Sequence, residues 1–340
     1  MNSLKKVLYF PLTVFLLLDL FSCSLSPKLP NIADSPGAPR VVSRSEAAIS
    51  NSKPGVIIAK DASKFRNVYA ISDVHGMFQQ AVTLLQAAKV IDSSNNWIAE
   101  NSLLVIIGDS IDKGPQSLEV LDLWIQLQQQ AVSSHGQVVH VLGNHEAEFL
   151  ASPQGDSKAA ELLAELKAKN IPISDLTSAN TLRGQFLHQE PLALVVGQWL
   201  FCHSGYYPDM TWDNFTSKSQ ELLQAGTYSD DFIIGDSSIL EAKDWEKNES
   251  SVSPVLARLD SIGIFGDVFG HQPGAFKIKG RSAAKYGGRL IKIDNGLPLE
   301  GGSHPGSILV FANPTQMNSK IYPEIQVIGP DGKPQLLIPE

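Results

Sequence analysis

Residues 103–115 read LLVIIGDSIDKGP. An unbroken aliphatic run ends abruptly at Gly108 and a pair of aspartates, Asp109 and Asp112. A strand apolar on both faces is one buried on both sides, as in parallel sheets covered by helices, so the aspartates fall at its carboxyl end. Two further stretches repeat the design: VYAISDVHG at residues 68–76, with Asp73 and His75, and VVHVLGNHE at 138–146, with Asn144 and His145. Each is followed by a segment of helical character, an order that implies parallel strands joined by helical crossovers. In such sheets the crevice beyond the carboxyl ends gathers residues that are far apart in sequence.

The gathered residue types suit one chemistry. Two divalent metal ions held close together polarise a phosphoryl oxygen, lower the pKa of a water between them and clamp an in-line displacement. They need hard oxygen donors, neutral imidazoles and a shared carboxylate. Asp73 and His75, at D-x-H spacing, offer two ligands aimed the same way, since alternate strand residues share a face. Asp109 is the candidate bridge, and Asn144 offers a neutral carbonyl oxygen. His203, in WLFCHSG, and His271, in GDVFGHQP, add imidazoles behind apolar runs. Two dications against Asp73, Asp109 and a bridging hydroxide leave about one positive charge, which attracts a phosphate dianion. A third carboxylate would cancel it, a physical reason for Asn rather than Asp at position 144. His145 is not needed as a ligand and is the candidate general acid, protonating the leaving-group oxygen. Asp112 is its candidate partner, raising its pKa and fixing its ring. The donor set suits manganese, iron or zinc, manganese first.

ISDVHG, GDSIDKGP, GNHE, FCHSG and FGHQ, in this order, resemble the calcineurin-like metallophosphoesterase superfamily. Within it they are similar to the phosphoprotein phosphatase type, nearest to the Shewanella-like bacterial phosphatases. The resemblance runs from about Val68 to Phe311 and implies an α/β fold, a metallophosphoesterase β-sandwich flanked by helices with a cap insertion. It implies metal-dependent phosphomonoester hydrolysis acting on a phosphoprotein, serine/threonine or tyrosine, or on a small phosphoester. The family's ligand roles match Asp73, His75, Asp109, Asn144, His203 and His271, with His145 as acid and Asp112 as its partner. Symmetrical dinucleoside polyphosphate hydrolases carry closely related motifs and are the rival reading; a surface lipoprotein binding a partner through its cap is the non-enzymatic one. The pattern breaks beside the motifs. Lys113 replaces an Arg, exchanging a bidentate fork for a point charge. Leu142 stands where eukaryotic members have a phosphate-binding Arg, and Ser204 interrupts their HGG. Lys113 is therefore a candidate substrate-binding residue. Arg183, in TLRGQFLHQEP, is a candidate replacement phosphate clamp, because bacterial relatives carry basic residues in the segment before this strand.

The remainder of the chain sets the context. Its 340 residues, 43% hydrophobic and 18% charged, have ordinary globular composition. A net charge of -8 and the lack of a dense Lys/Arg cluster argue against nucleic acid as a main partner. The opening MNSLKK, the apolar stretch from Val7 to Leu18 and LFSC ending at Cys23 have the layout of a secretory signal over residues 1–22 with a lipobox-like acylation site. This reading makes the protein an exported bacterial lipoprotein of the periplasm or cell envelope, held to the membrane by lipid on Cys23. Residues 23–64 then form a tether, 65–312 the catalytic domain with cap insertions about 150–185 and 206–260, and 313–340 an edge strand or tail. Cys202 reads as a small buried hydrophobe, and His135, His140 and His188 as structural histidines. His304 reads as part of a surface turn, and Trp212, Phe215 and Trp245 as packing of the cap.

Overall fold

The computed structural model describes residues 55–155, 157–297 and 304–340; the signal, Cys23 and the first part of the tether lie outside them. In chain order the strands are β1 (Val56–Ala59), β2 (Val68–Ile71), β3 (Leu103–Ile107), β4 (Gln137–Val141), β5 (Ala193–Val196) and β6 (Trp199–Cys202). They continue with β7 (Gly266–Phe269), β8 (Ala283–Lys285), β9 (Leu290–Lys292), β10 (Ile308–Phe311), β11 (Ile325–Ile328) and β12 (Pro334–Leu336). One sheet has the order β12-β11-β10-β2-β3-β4 and the other β1-β5-β6-β7-β9-β8. The three strands singled out by sequence are parallel neighbours, with Ile71 opposite Ile106 and Ile107 opposite Val141, so their carboxyl ends finish side by side. In the second sheet β6 and β7 also run parallel, while β5 and β6 form a hairpin through Gly197 and Gln198.

Strand alternation divides the apolar runs between two cores. Val68, Ala70, Leu103, Val105 and Ile107 face the second sheet and pack with Phe201, Val268 and Ile291. Their neighbours Tyr69, Ile71, Leu104 and Ile106 face outward into a layer formed by α1 (Phe78–Ala87) and α2 (Ser117–Val132), through Leu84, Leu85, Leu118, Trp124 and Leu127. Beyond the second sheet, Val195, Leu200 and Cys202 meet Phe215, Leu222 and Leu223. The result is a β-sandwich with helices on both outer faces, which explains why the inner strands are apolar on both sides. A large aliphatic or aromatic side chain so buried contributes roughly 1.5–3 kcal/mol.

The remaining helices are α3 (Asn144–Ala151), α4 (Ala160–Ala168), α5 (Ser174–Thr177), α6 (Leu182–His188), α7 (Trp212–Ala225), α8 (Asp231–Ile234) and α9 (Glu249–Ser261). Residues 150–185 and 206–260, expected as caps, instead complete the outer layers. Leu162, Leu166, Leu176 and Phe186 join the α1–α2 core, and Phe215, Ile233 and Leu259 join the core over the second sheet. They reach the site cavity through Lys158, Glu161 at the start of α4, and Lys243. One boundary also shifts. β1 pairs in parallel with β5 from Val56 to Ala59, so the folded unit begins before Phe65. The C-terminal segment supplies β11 and β12 at the sheet edge.

Candidate active site

Main-chain hydrogen bonds zip the first two strand-end loops together. Asp73 N–H donates to Gly108 O at 3.2 Å, His75 N–H to Asp109 O at 2.8 Å and Gly76 N–H to Ser110 O at 2.8 Å. The predicted site residues concentrate left-handed backbone: φ is 51° at Asp73, 46° at His75, 52° at Asp109, 66° at Asp112, 58° at Lys113 and 64° at His271. Each such conformation costs of order 1–3 kcal/mol and persists only where the surroundings over-determine it. The D-x-H pair is thus not aimed by strand alternation, as the sequence reading had it; β2 ends at Ile71 and a turn aims both side chains. Gly108, at φ 67°, lies where an added Cβ would meet Gly143 Cα at 2.4 Å and His203 Nδ1 at 2.7 Å. Glycine there lets the motif loops approach one another.

Asp109 stands at the centre. Its Oδ2 lies 3.4 Å from His75 Nε2 and its Oδ1 3.2 Å from His203 Nε2. His75 Nδ1–H donates to Ile111 O at 3.0 Å and His203 Nδ1–H to Ile107 O at 2.9 Å, which turns both Nε2 atoms toward Asp109. Asn144 Oδ1 lies 3.0 Å from His203 Nε2 and 3.1 Å from His271 Nδ1, while His271 Nε2–H is directed to Glu241 O at 3.3 Å. Asp73 Oδ1 is 4.0 Å from His75 Nε2, and the Asp73 carboxylate accepts the His271 main-chain N–H at 3.0 Å. Two donor sets therefore share Asp109: Asp73 and His75 on the Oδ2 side, and Asn144, His203 and His271 on the Oδ1 side. The outer ring nitrogens are committed to main-chain carbonyls, so lone pairs converge inward on both sides, an environment that a cation satisfies. Lys113 Nζ, 2.8 Å from His75 Nε2, places a cation at one of them. The residues fit two divalent ions spanned by one carboxylate.

The electrostatics agree with this division. Burial pushes the His75 and His271 imidazoles down to about 3 and about 2, into the neutral form that ligates. Burial also opposes charge on His203, yet Asp109 and Asp73 raise it to about 10, so metal binding there would displace a proton. At Asp109 burial is outweighed by His203, His145 and His75, which hold its carboxyl well below the usual carboxylate range. Asp73 moves the other way, raised by burial and by neighbouring Asp294.

His145 occupies the edge of this cluster. Its Nδ1–H donates to Asp112 Oδ2 at 3.0 Å, its main-chain N–H donates to Asp109 Oδ1 at 3.1 Å, and its Nε2 is 3.9 Å from Asp109 Oδ2. Burial alone would depress this imidazole, but Asp109 and Asp112 outweigh it and raise its pKa above the ordinary histidine value. The geometry is that of a proton donor steadied from behind. A cavity of about 460 Å³ opens over Asp109, Asn144, His145 and His271, with Lys113 on its lining.

Arg183 is not brought to this cavity. Its guanidinium makes a two-pronged contact with Asp122 at 2.8 and 2.7 Å and reaches Asp175 at 2.6 Å, so the expected phosphate clamp is instead a brace within the helical layer. Sequence reasoning also left residues out. Glu146 accepts four main-chain N–H groups, from Asp109 at 2.9 Å, Ser110 at 2.7 Å, Ile111 at 3.2 Å and Gly143 at 3.1 Å, and so shapes the bridging loop. Its position in the first turn of α3, three residues after the N-cap Gly143, lets it reach back to the Gly143 N–H, but with glycine at the N-cap the sequence shows no capping-box pattern. Asp294 follows β9 in KIDNG, the same acid-after-strand design as Asp73. Lys158 and Lys243 line the cavity from loops that carry no periodic signal. The structural histidines stay outside the cavity lining: His140 bonds Ser110 Oγ at 2.6 Å, and His188 bonds Tyr228 and Thr177 at 2.9 Å each. Cys202 is fully buried.

The family model of the calcineurin-like phosphoesterases matches residues 66–273, a span that holds both donor sets and the His145–Asp112 pair. The chain belongs to the calcineurin-like phosphoesterase family. Members of this family are hydrolases acting on phosphoesters, and the match agrees with a donor set built for divalent metals. The chain is similar to Shewanella-like protein phosphatase 1 of Plasmodium berghei, 34% identical over 79 residues, covering 23% of this chain and 22% of that protein. It is 31% identical over 83 residues to Shewanella-like protein phosphatase 2 of Arabidopsis thaliana, 24% of this chain and 21% of that one. A symmetrical bis(5'-nucleosyl)-tetraphosphatase of Vibrio campbellii is 30% identical over 152 residues, 44% of this chain and 48% of that protein. The matches span less than half the length of each of these relatives. The fold is shared with a cold-active protein-tyrosine phosphatase of a psychrophilic Shewanella species, with TM-score 0.64, 23% identity, and coverage of 84% of this chain and 82% of that one.

Proposed function

We propose that this calcineurin-like phosphoesterase is a metal-dependent phosphomonoesterase of phosphoprotein phosphatase type, with manganese the first candidate for its two ions. The observation that carries the reading is Asp109, set between two donor sets with the His145–Asp112 pair beside it at 3.0 Å. Two divalent ions bound there would supply Lewis-acid charge and activate water for attack at phosphorus. Asp109 would hold both in a fixed relation, with Asp73 and His75 completing one set and Asn144, His203 and His271 the other. His145 Nε2 delivers its proton to the leaving oxygen as the phosphorus–oxygen bond breaks, and Asp112 keeps the ring turned and charged. Similarity to Shewanella-like phosphatases supports a phosphoprotein or small monoester as substrate.

The Vibrio campbellii similarity favours symmetrical dinucleoside polyphosphate hydrolysis as a second reading. Protein beginning at Ser24, loaded with Mn²⁺, should hydrolyse an aryl phosphate and lose turnover on chelation. Its rates on phosphoserine peptides, phosphotyrosine peptides and dinucleoside polyphosphates then separate the two readings. Failure to turn over any phosphomonoester under manganese, iron or zinc would refute the first. Export with lipid on Cys23 belongs to the same proposal and rests on residues 1–23. Metabolic labelling with a radioactive fatty acid should mark the full chain and miss Cys23→Ser; equal labelling of both would exclude acylation there.

A further inference from the structure

The family's arginine position after Asp112 holds Lys113, the position before Gly143 holds Leu142, and Arg183 is spent on Asp122 and Asp175. The cavity nevertheless has cations on its lining. Lys158, between α3 and α4, and Lys243, between α8 and α9, line it together with Lys113, Asn144, His145 and His271, and the Glu161 carboxylate is on the same lining, so the three ammonium groups outnumber it. Both are held there by carboxylates. Lys158 Nζ lies 2.5 Å from Glu148 Oε1 and 3.6 Å from Glu241 Oε1, and Lys243 Nζ lies 3.4 Å from Glu241 Oε2. Glu241 is thus straddled by the two ammonium groups, and its main-chain carbonyl accepts His271 Nε2–H at 3.3 Å, which ties the pair to the metal-ligand cluster.

We propose that Lys158 and Lys243, alongside Lys113, form the phosphate grip of this enzyme and set its preference for phosphomonoester dianions over diester monoanions. The inference rests on the phosphoester hydrolysis proposed above. The ammonium side chains are 42% and 55% exposed, so their carboxylate pairs position them without removing them from solvent. Both ammonium groups reach the cavity lining, whereas the Arg183 guanidinium is turned to Asp122 and Asp175 and is not on it. A compact point charge suits the non-bridging oxygens of a terminal phosphoryl group, and its attraction grows with the second negative charge that a diester lacks. Glu148 and Glu241 act as positioning residues, keeping two flexible side chains from swinging outward.

The test uses metal-loaded protein with Lys158→Gln, Lys243→Gln, the double variant, and the matching Lys→Arg changes. Values of kcat/KM are compared for an aryl phosphate monoester and a bis-aryl phosphate diester, and inorganic phosphate is titrated calorimetrically. Each Gln variant should lower kcat/KM on the monoester roughly five- to tenfold, allowing for the exposure of the ammonium. The double variant should lose more, with the diester changed by less than about threefold and phosphate affinity falling in step with the monoester. The Arg variants should keep most of the wild-type monoester preference, separating charge from a folding fault. Equal losses on monoester and diester, or no loss on either, would overturn the grip. If the wild-type protein turns over nothing under any metal, the hydrolase reading fails, and the phosphate titration still decides this one. Weaker binding by the double variant upholds the grip, and unchanged binding overturns it.

Discussion

Replacing His145 by Asn tests the division of labour inside the site. The side chain has two candidate roles: a ring nitrogen lies within 4.8 Å of a His75 ring nitrogen and an Asp109 carboxylate oxygen, compatible with a metal ligand, yet its Nδ1–H is engaged by Asp112 at 3.0 Å, as a steadied acid requires. A positioned general acid is worth roughly 10²–10⁴ in rate where the leaving group needs a proton. His145→Asn should therefore slow an alkyl phosphate by roughly 10²–10⁴-fold. It should slow p-nitrophenyl phosphate by less than about tenfold, because that phenolate departs unprotonated. Asp112→Asn removes a buried, charge-assisted acceptor worth roughly 1.5–3 kcal/mol, so kcat on the alkyl substrate should fall roughly 10- to 150-fold. The sign of the pH effect follows. Asp112 helps to raise the His145 pKa, so without it the imidazolium is lost at lower pH and the alkaline limb of the rate profile moves down in pH. The assay is steady-state hydrolysis of alkyl and aryl phosphates of graded leaving-group pKa, with metal content measured in parallel. A leaving-group dependence in His145→Asn parallel to that of the wild type would refute the general-acid assignment. Loss of one equivalent of metal in that variant would make His145 a ligand instead.

Three further outcomes follow from the structure. Asp109→Asn offers one carbonyl oxygen where two donor sets share a carboxylate, so metal content measured by mass spectrometry should drop together with turnover; full metal retention would contradict the bridge. Glu146→Ala strips the acceptor from four main-chain N–H groups, and even with two of them re-solvated the cost is roughly 2–6 kcal/mol, visible in urea unfolding and in weaker metal binding. Asp267, fully buried against the Cys202 thiol at 3.7 Å, has its carboxyl pushed well above the usual range by burial. Its contribution to stability is therefore present below the unfolded carboxylate pKa and lost as pH rises through the folded one. Unfolding measured at pH 5 and pH 8 should show Asp267→Asn gaining on the wild type as pH rises, and a constant difference would count against the raised pKa.

The fold was legible because β2 and β3 are apolar on both faces and, like β4, end in a polar motif. LLVII before Gly108 could sit only between two packed layers, and the parallel registers followed from the helices between motifs. β1 and β8 were not legible: they are short edge elements whose pairing partners, not their own patterns, define them. The helical segments after Leu150 and Tyr206 looked like caps because polar loops interrupt them, while their apolar positions answer a core visible only once α2 and the second sheet are in place.

The donor types were readable without coordinates: Asp, His and Asn residues at strand ends, and two later histidines, come together when those strands lie in register. Tertiary structure decided what surrounds that chemistry. Left-handed turns, not strand alternation, aim Asp73 and His75; Glu146 fixes the bridging loop through main-chain N–H groups that no motif displays. Arg183 was drawn away by Asp122 and Asp175, and Lys158 and Lys243 were brought in by Glu148 and Glu241. The physical reason is range. The candidate metal donors sit just past strand ends whose positions local pattern dictates, whereas long charged side chains go to whichever counter-charge the assembled fold places within reach, and that pairing exists only in three dimensions.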